Sequence, residues 1–189
     1  MTTRERMIAT ALRMFQEHGY HGVSWRNLVS EAGTPWGSIA HHFPGGKLEL
    51  AVAVVESGGK AVNDLICHCI AKEPSIDKVI VAWFGHTARH MEQSGFQLGC
   101  PVASIAGSIA PEIPAIIEAS SKAFKTWETT LANSFNQSLT KTRARKLSAN
   151  IVTLLEGGIV HARIRKSKTP LEEAAKIAQQ LVLDSINNS

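Results

Sequence analysis

The stretch GTPWGSIAHHFPGGKLEL, residues 33–50, contains two adjacent histidines that run directly into Phe-Pro-Gly-Gly-Lys. Three kinds of site could be built from it: a phosphate-binding loop, a metal site, or a helix that contacts another surface. A phosphate-binding P-loop needs Gly-x-x-x-x-Gly-Lys, then Ser or Thr, after a β-strand. Here Leu48 follows Lys47 and the preceding pattern is helical, so the first interpretation fails.

A metal site is the second interpretation, and the spacing of the histidines argues against it. Neighbouring residues of a helix point about 100° apart, so His41 and His42 cannot converge on one ion as an i,i+4 pair can. His86 and His90 have that spacing, but no carboxylate or third imidazole accompanies them at matched spacing. We therefore expect no metal and no cofactor.

Helical periodicity dominates the whole chain, and no convincing alternating strand pattern is present. The first helix has one apolar stripe and is expected to end at Gly19. Helices are predicted at about 2–18, 25–32, 36–42, 47–72, 75–94, 102–110, 113–139, 143–166 and 171–187. The sequence therefore predicts an all-α fold of about nine helices.

Composition sets limits on where the protein works. The chain has 189 residues, three cysteines and a net charge of +4. Most of the positive excess lies in residues 140–189, where nine Lys and Arg face four Asp and Glu, so charge alone is a weak argument for nucleic acid. No apolar run approaches the roughly 20 residues that span a bilayer, and charged residues interrupt the N-terminal segment. We expect a cytoplasmic protein with no membrane partner.

The third interpretation of the opening stretch is a helix-turn-helix. Ser24 is a good N-cap for a first short helix, and Gly33 makes the tight turn. Thr34 is expected to cap the second short helix, over residues 36–42, with Pro35 at its first position. Lys47 and the free N–H groups at the start of the fourth helix could then hold a phosphate. The alternative at this stage is a helical hairpin with no nucleic-acid partner.

The same residues resemble the DNA-binding domain of TetR-family transcriptional regulators. That family has a glycine turn, a short helix of the type S-K-G-T-L-Y-Y-H-F, then a loop and a lysine. The match lies in Gly33, Gly37, Ser38, Ile39, His42, Phe43 and Lys47. "HHFPGGK", "GCPVASIA" at 99–106 and "LEGGIVHARIRKSKTPLEEA" further on resemble the LmrA/YxaF-like branch. Trp36 and Ala40 depart from the family's usual basic residue and tyrosine.

The resemblance implies a DNA-binding domain at residues 1–46 and a helical ligand-binding and dimerisation domain at 47–189. Arg26 is carried over as a guanine contact, with a phosphate contact or a solvated arginine as the alternatives. Trp36 and Ala40 can contact a thymine methyl group but cannot form an ion pair. The implied DNA-binding residues are Ser24, Arg26, Thr34, Trp36, Gly37, Ser38, Ala40, His41, His42 and Lys47.

In the second domain the resemblance implies a homodimer, formed by the last two long helices, which reads a palindromic double-stranded operator. An apolar face buried inside one protomer would look the same in sequence. The implied interface residues are Gly157, Gly158, Ala162, Leu171, Ala175, Ala178, Leu181 and Val182.

The resemblance also implies a pocket for a small apolar or aromatic effector, and aromatic residues are abundant in the middle of the chain. A filled core remains the alternative, since aromatic stripes at helical spacing are commonly core. The candidate pocket residues are Trp83, Phe84, His86, His90, Met91, Phe96, Cys100, Phe124, Trp127, Phe135 and His161.

The function implied is a homodimeric, ligand-responsive DNA-binding repressor. A helical protein-binding module without DNA activity is the alternative, and a small-molecule-binding enzyme is a weaker one. Against an enzyme, the sequence has no Gly-x-Ser-x-Gly, no cysteine with a positioned histidine and no paired catalytic carboxylates. No catalytic residue is expected.

Overall fold

The computed structural model describes residues 1–109, 113–135 and 138–188. Within these residues the chain forms nine helices and no strand, as the sequence predicts. The helices are α1 (Thr3–His18), α2 (Trp25–Glu31), α3 (Ser38–His42), α4 (Gly46–Lys72), α5 (Ile76–Gln93), α6 (Ala103–Ile109), α7 (Pro114–Ser134), α8 (Lys141–Arg165) and α9 (Thr169–Asn187). In the part of the chain described, no helix is both long enough and apolar enough to cross a membrane.

Local capping signals explain where several helices begin and end. Thr2 and Glu5 form a reciprocal capping box at the start of α1, and Gly19 ends that helix with φ +69°. Ser24 caps α2 as expected, since its hydroxyl accepts the Asn27 N–H at 3.2 Å. Thr140 caps α8 in the same way, so that helix begins two residues earlier than predicted.

The end of one helix differs from the prediction. α7 ends at Ser134, whereas the sequence pattern extends to 139. Residues 136–137 of that prediction, and the predicted end of α6 at residues 110–111, lie outside the described residues.

The chain divides into two compact units, of which the first contains residues 1–60 and 98–123. Its buried side chains include Met7, Phe15, Leu28 and Phe43. Here α4 packs closely on its neighbours, because a Cβ added at Gly58 would lie 2.7 Å from Cβ of Pro101. The first three helices, the first half of α4, and α6 therefore belong to one compact unit.

The second unit contains residues 61–97 and 124–189, and α9 packs between α5 and α8. Gly158 on α8 allows the closest approach to α9, because a Cβ there would lie 2.9 Å from Cδ2 of Leu171. On the α5 side, the Gln179 amide donates to the Asp77 carboxylate at 3.0 Å. A hydrogen bond from the Ser75 hydroxyl, and next the one from Gln179, lower the pKa of Asp77.

Candidate nucleic-acid interface

The turn between α2 and α3 is built from backbone hydrogen bonds and one left-handed glycine. Gly33 has φ +58°, a conformation that costs glycine little and other residues more. The Thr34 N–H donates to the Val29 carbonyl at 3.0 Å, and the Gly33 N–H donates to Ser30 at 3.3 Å. These bonds close α2 and direct the chain into α3.

The expectation that Thr34 caps a helix beginning at residue 36 is wrong. α3 begins at Ser38 with Gly37 as its N-cap, and no side chain caps it. Thr34 is buried, and its Oγ1 has no hydrogen-bond partner among the described residues. Its N–H is used in the turn after α2, and the Ser38 N–H donates to the Pro35 carbonyl at 3.0 Å, so a second turn leads into the helix.

The surface of α2 and α3 carries most of the side chains that the sequence assigned to DNA. Trp36 is 62% exposed, which is unusual for so large an apolar side chain. Ser24, Arg26, Gly37, Ala40 and His41 are exposed too, Ser38 and His42 are half-buried, and Thr34 is buried. The structure therefore brings the predicted set to one small helical unit, with Thr34 packed inside it.

The inner side of α3 is fixed by apolar contacts. Phe43 is fully buried at the end of the helix, and Ile39 is half-buried one turn earlier. The ring centres of His41 and His42 lie 4.6 Å apart, and the two rings meet edge to face. Among the described residues, no group of three or more His, Cys, Asp or Glu side chains is placed to hold a metal ion.

Lys47 is held differently from an ordinary surface lysine. It is half-buried, and its Nζ lies 4.4 Å from the centre of the Tyr20 ring. Burial lowers the pKa of Lys47, since the charged form loses hydration. The aromatic ring compensates in part, because its face attracts a cation.

The N–H groups before α4 are less free than the sequence suggested. The Gly45 N–H donates to the Glu49 carboxylate at 2.7 Å, and the Gly46 N–H donates to the Phe43 carbonyl at 2.9 Å. The Glu49 carboxylate therefore occupies the place at the start of α4 that a phosphate could otherwise take. Lys47 remains the stronger candidate for a phosphate contact.

Arg4 is a residue that the sequence reasoning missed. Its guanidinium carbon lies 5.3 Å from the centre of the Phe43 ring, so an exposed cation from α1 stands beside the end of α3. The local sequence gives no sign of this contact, because the two residues are 39 positions apart. The contact places a positive charge beside the candidate interface.

The residues predicted to line an effector pocket are distributed unevenly. Trp83, Phe84, Met91, Cys100, Trp127 and Phe135 are buried, Phe96 and Phe124 are half-buried, and His86, His90 and His161 are exposed. Rings pair edge to face in two places, Trp83 with Phe84 at 5.9 Å and Phe124 with Trp127 at 4.9 Å. The three histidines thus do not supply polar groups among the buried rings.

A groove of about 320 Å³ lies between α5 and α9, in the second unit. The walls of the groove are mainly apolar, and Phe84 is the predicted pocket residue that lines it. Val81, Ala88, Leu171 and Ala175 line it as well. Its volume is at the lower end of small-molecule sites.

The predicted interface residues also separate into two groups. Gly158, Ala162, Leu171, Ala175, Ala178 and Val182 are buried inside the second unit. Gly157 and Leu181 are exposed. A second apolar stripe, which the sequence reasoning did not separate from the first, is exposed beside them: Val160 (55%), Ile164 (75%) and Ile177 (53%).

Comparisons with known families agree with this arrangement of helices. Residues 7–54 match the family of bacterial regulatory proteins, tetR family. Residues 78–177 match the C-terminal domain of LmrA/YxaF-like transcriptional regulators.

Two curated relatives from Bacillus subtilis (strain 168) match over 170 residues each. The uncharacterized HTH-type transcriptional regulator YxaF is 33% identical, over 89% of this chain and 89% of its own length. The HTH-type transcriptional regulator LmrA is 28% identical, over 89% of this chain and 90% of its own. These families and relatives are transcriptional regulators and not enzymes.

Solved structures share the fold. A TetR transcriptional regulator from Legionella pneumophila superposes with a TM-score of 0.84 at 23% identity, covering 95% of this chain and 97% of its own. The reduced form of NemR from E. coli gives 0.80 at 24% identity, over 94% and 95%.

Proposed function

The chain belongs to the TetR family of bacterial transcriptional regulators, in its LmrA/YxaF-like branch, and from that premise we propose a homodimeric repressor that a small, largely apolar ligand releases from its operator. Members of this family are DNA-binding regulators, so binding to double-stranded DNA is the activity to explain. The observation that carries the proposal is the exposed face of α2 and α3, with Trp36 at its edge.

On this proposal α3 enters the major groove. Its outward positions Gly37 and Ala40 are small, so the helix can approach the base edges closely. Trp36 offers an apolar face to thymine methyl groups or sugars, and Arg26 offers a guanidinium to guanine. Ser24, His41, His42 and Lys47 contact the backbone and set the register without reading sequence.

The dimer forms through the exposed stripe of α8 and α9. Gly157, Val160 and Ile164 are spaced by three and four residues, so they share one face of α8, and Ile177 and Leu181 do so on α9. Isolated exposed apolar residues are normal, but four exposed apolar side chains and a glycine at helical spacing on two packed helices favour an interface. A second copy of the chain is the proposed occupant, and a monomer at micromolar concentration in sedimentation would contradict it.

The effector binds in the second unit, among its aromatic side chains. The apolar groove between α5 and α9, with Phe84 in its wall, supports this part of the proposal. An effector can weaken DNA binding only as far as it prefers the conformation that does not bind DNA. A hundredfold release needs a preference of about 2.7 kcal/mol.

Fluorescence anisotropy tests the proposal directly. The probe is a duplex from the region upstream of the protein's own gene, compared with a scrambled duplex at two salt concentrations. We expect sequence-selective binding that weakens with salt, because phosphate contacts release counterions. If this duplex and duplexes selected from random DNA are all bound no better than the scrambled one, the operator-binding proposal is wrong.

A screen of small apolar and aromatic compounds then tests ligand release. The expected compound raises the melting temperature of the free protein and lowers its affinity for the duplex. If every compound that stabilises the protein leaves DNA affinity unchanged, the release mechanism is wrong.

A further inference from the structure

The C-terminal end of α1 is tied to α6 and to the loop that precedes it. The Gln16 side-chain amide donates to the Gly99 carbonyl at 2.5 Å, and the Tyr20 N–H donates to the Ser108 hydroxyl at 3.1 Å. A Cβ added at Gly19 would lie 3.1 Å from Cβ of Ser108, so α6 also touches the turn itself. These contacts lie within one compact unit.

Tyr20 faces the candidate phosphate contact from the same turn. Its ring centre lies 4.4 Å from Nζ of Lys47 and 5.8 Å from the ring centre of Phe15. Phe15 is fully buried, so the tyrosine ring rests on a fixed surface. An ammonium on a ring face keeps its other sides open to an anion, and it is attracted to the ring by up to a few kT.

We propose that Tyr20 is a positioning residue for Lys47, and that Ser108 holds Tyr20 in place, so that the position of α6 sets the strength of one DNA-backbone contact. This inference rests on the proposed role of Lys47 as a phosphate contact. A free lysine loses considerable side-chain entropy when it is fixed on a phosphate, and a ring that already holds the ammonium removes part of that cost.

The contacts from Ser108 through Tyr20 to Lys47 give the position of α6 an effect on DNA affinity. Ser108 also donates its hydroxyl to the Ile105 carbonyl at 2.8 Å, so the orientation of its oxygen is fixed by α6. If α6 shifts, the Tyr20 N–H loses its acceptor, the ring moves, and the ammonium is no longer supported. DNA affinity then falls without any change in α3.

The test is a double-mutant cycle on DNA affinity. Tyr20→Met keeps apolar bulk against Phe15 but removes the ring face, Tyr20→Phe keeps the ring, and Lys47→Ala removes the ammonium. The probe is a duplex selected by the wild-type protein from random DNA. Thermal melting of each variant checks folding, and Tyr20→Leu serves if Tyr20→Met does not fold.

We expect Tyr20→Met to weaken binding about threefold to tenfold and Tyr20→Phe to bind like the wild type. In the Lys47→Ala background the Tyr20→Met change should have no further effect. Lys47→Ala should itself reduce the slope of log affinity against log salt concentration by about 0.9 for each phosphate that the ammonium neutralised. Lys60→Ala, on the exposed side of α4, is the matched control for removal of one charge.

Each other outcome is informative. If Lys47→Ala leaves both affinity and salt dependence unchanged, the phosphate role and the inference that rests on it are wrong. If Lys47→Ala weakens binding but Tyr20→Met does not, or if their effects simply add, Tyr20 does not act through Lys47. Failure of the wild type to select any duplex contradicts the proposed function instead.

Ser108→Ala tests the α6 step separately. The variant removes the acceptor of the Tyr20 N–H and should weaken binding about twofold to fivefold, an effect that disappears in the Lys47→Ala background. Ser104→Ala, also on α6, is the control. An unchanged affinity in Ser108→Ala, or an equal decrease in the control, overturns the assignment of α6.

Discussion

Two adjacent glycines on α8 allow the dimer proposal to be tested with opposite expected signs. Gly157 is exposed, and a Cβ added there would meet no atom of the described residues within 4 Å. Gly158 is buried, and its added Cβ would lie 2.9 Å from Leu171 and 3.4 Å from Ala174. The proposed partner helix passes over Gly157, whereas α9 of the same chain passes over Gly158.

The magnitudes follow from these distances. Replacing glycine by alanine in a helix gains about 1 kcal/mol of helix stability. In the protomer Gly157→Ala should show that gain, since nothing obstructs the methyl group. In Gly158→Ala the overlap with Leu171 costs about 1–3 kcal/mol and cancels or exceeds the gain. The free energy of unfolding of the protomer should therefore rise in the first variant and stay level or fall in the second.

Dissociation of the proposed dimer should show the reverse order of effects. Two methyl groups at Gly157 would separate the paired helices, and we expect the dissociation constant to rise at least tenfold, which is about 1.4 kcal/mol. Gly158→Ala should leave it nearly unchanged. Sedimentation equilibrium gives the dissociation constant, and urea unfolding at a protein concentration where the dimer is dissociated gives the protomer's stability. A dimer of Gly157→Ala as tight as the wild type would refute the placement of the partner helix.

Three further predictions concern the DNA-binding unit. Trp36→Ala should change the unfolding free energy by less than about 0.5 kcal/mol, yet weaken DNA binding by up to about 2–3 kcal/mol per protomer, because DNA covers its exposed surface. Urea unfolding measures the first quantity and anisotropy the second, with Leu48→Ala as the control. An unchanged DNA affinity would contradict the prediction. Burial lowers the pKa of Lys47 in the free protein and a phosphate should raise it again, so binding takes up a proton and affinity should fall as pH rises from about 7 towards about 10. Anisotropy across that range should show a flatter profile for Lys47→Arg, and equal profiles would exclude Lys47 as the cause. Arg4→Ala should reduce the slope of log affinity against log salt concentration by about 0.9, with little change in melting temperature. An equal effect of Arg6→Ala would mean that the position of Arg4 beside Phe43 does not matter for DNA binding.

The features that sequence predicted well are those decided by neighbours in the chain. Gly19 and Ser24 end and begin helices through hydrogen bonds within four residues, so their roles can be read locally. The role of Thr34 was predicted wrongly because its side chain is buried, and burial depends on the fold and not on the local capping pattern. Arg4 was missed because its contact with Phe43 depends on the tertiary fold.

The last two helices show a different limit. Ala178 is buried and Ile177 is exposed, although both are apolar neighbours on α9. Helical periodicity alone cannot say which face of α9 meets α5 and α8 and which face meets solvent. α9 packs against two helices of its own unit, so its buried face is wide. Only the fold separates the stripe with Val160, Ile164 and Ile177 from the core.

The length of α3 links the proposed dimerisation to the reading of a DNA sequence. Five helical residues rise about 7.5 Å, which spans only two or three base pairs at 3.4 Å each. With about 1–3 kcal/mol of discrimination per base pair, one protomer alone separates its site from competing DNA by only a few kcal/mol. A second copy doubles that energy and requires half-sites one or more helical turns apart, about 34–36 Å or a multiple. Gly157→Ala should therefore reduce selective binding far more than binding to scrambled DNA, because the contacts of each protomer with the phosphates remain.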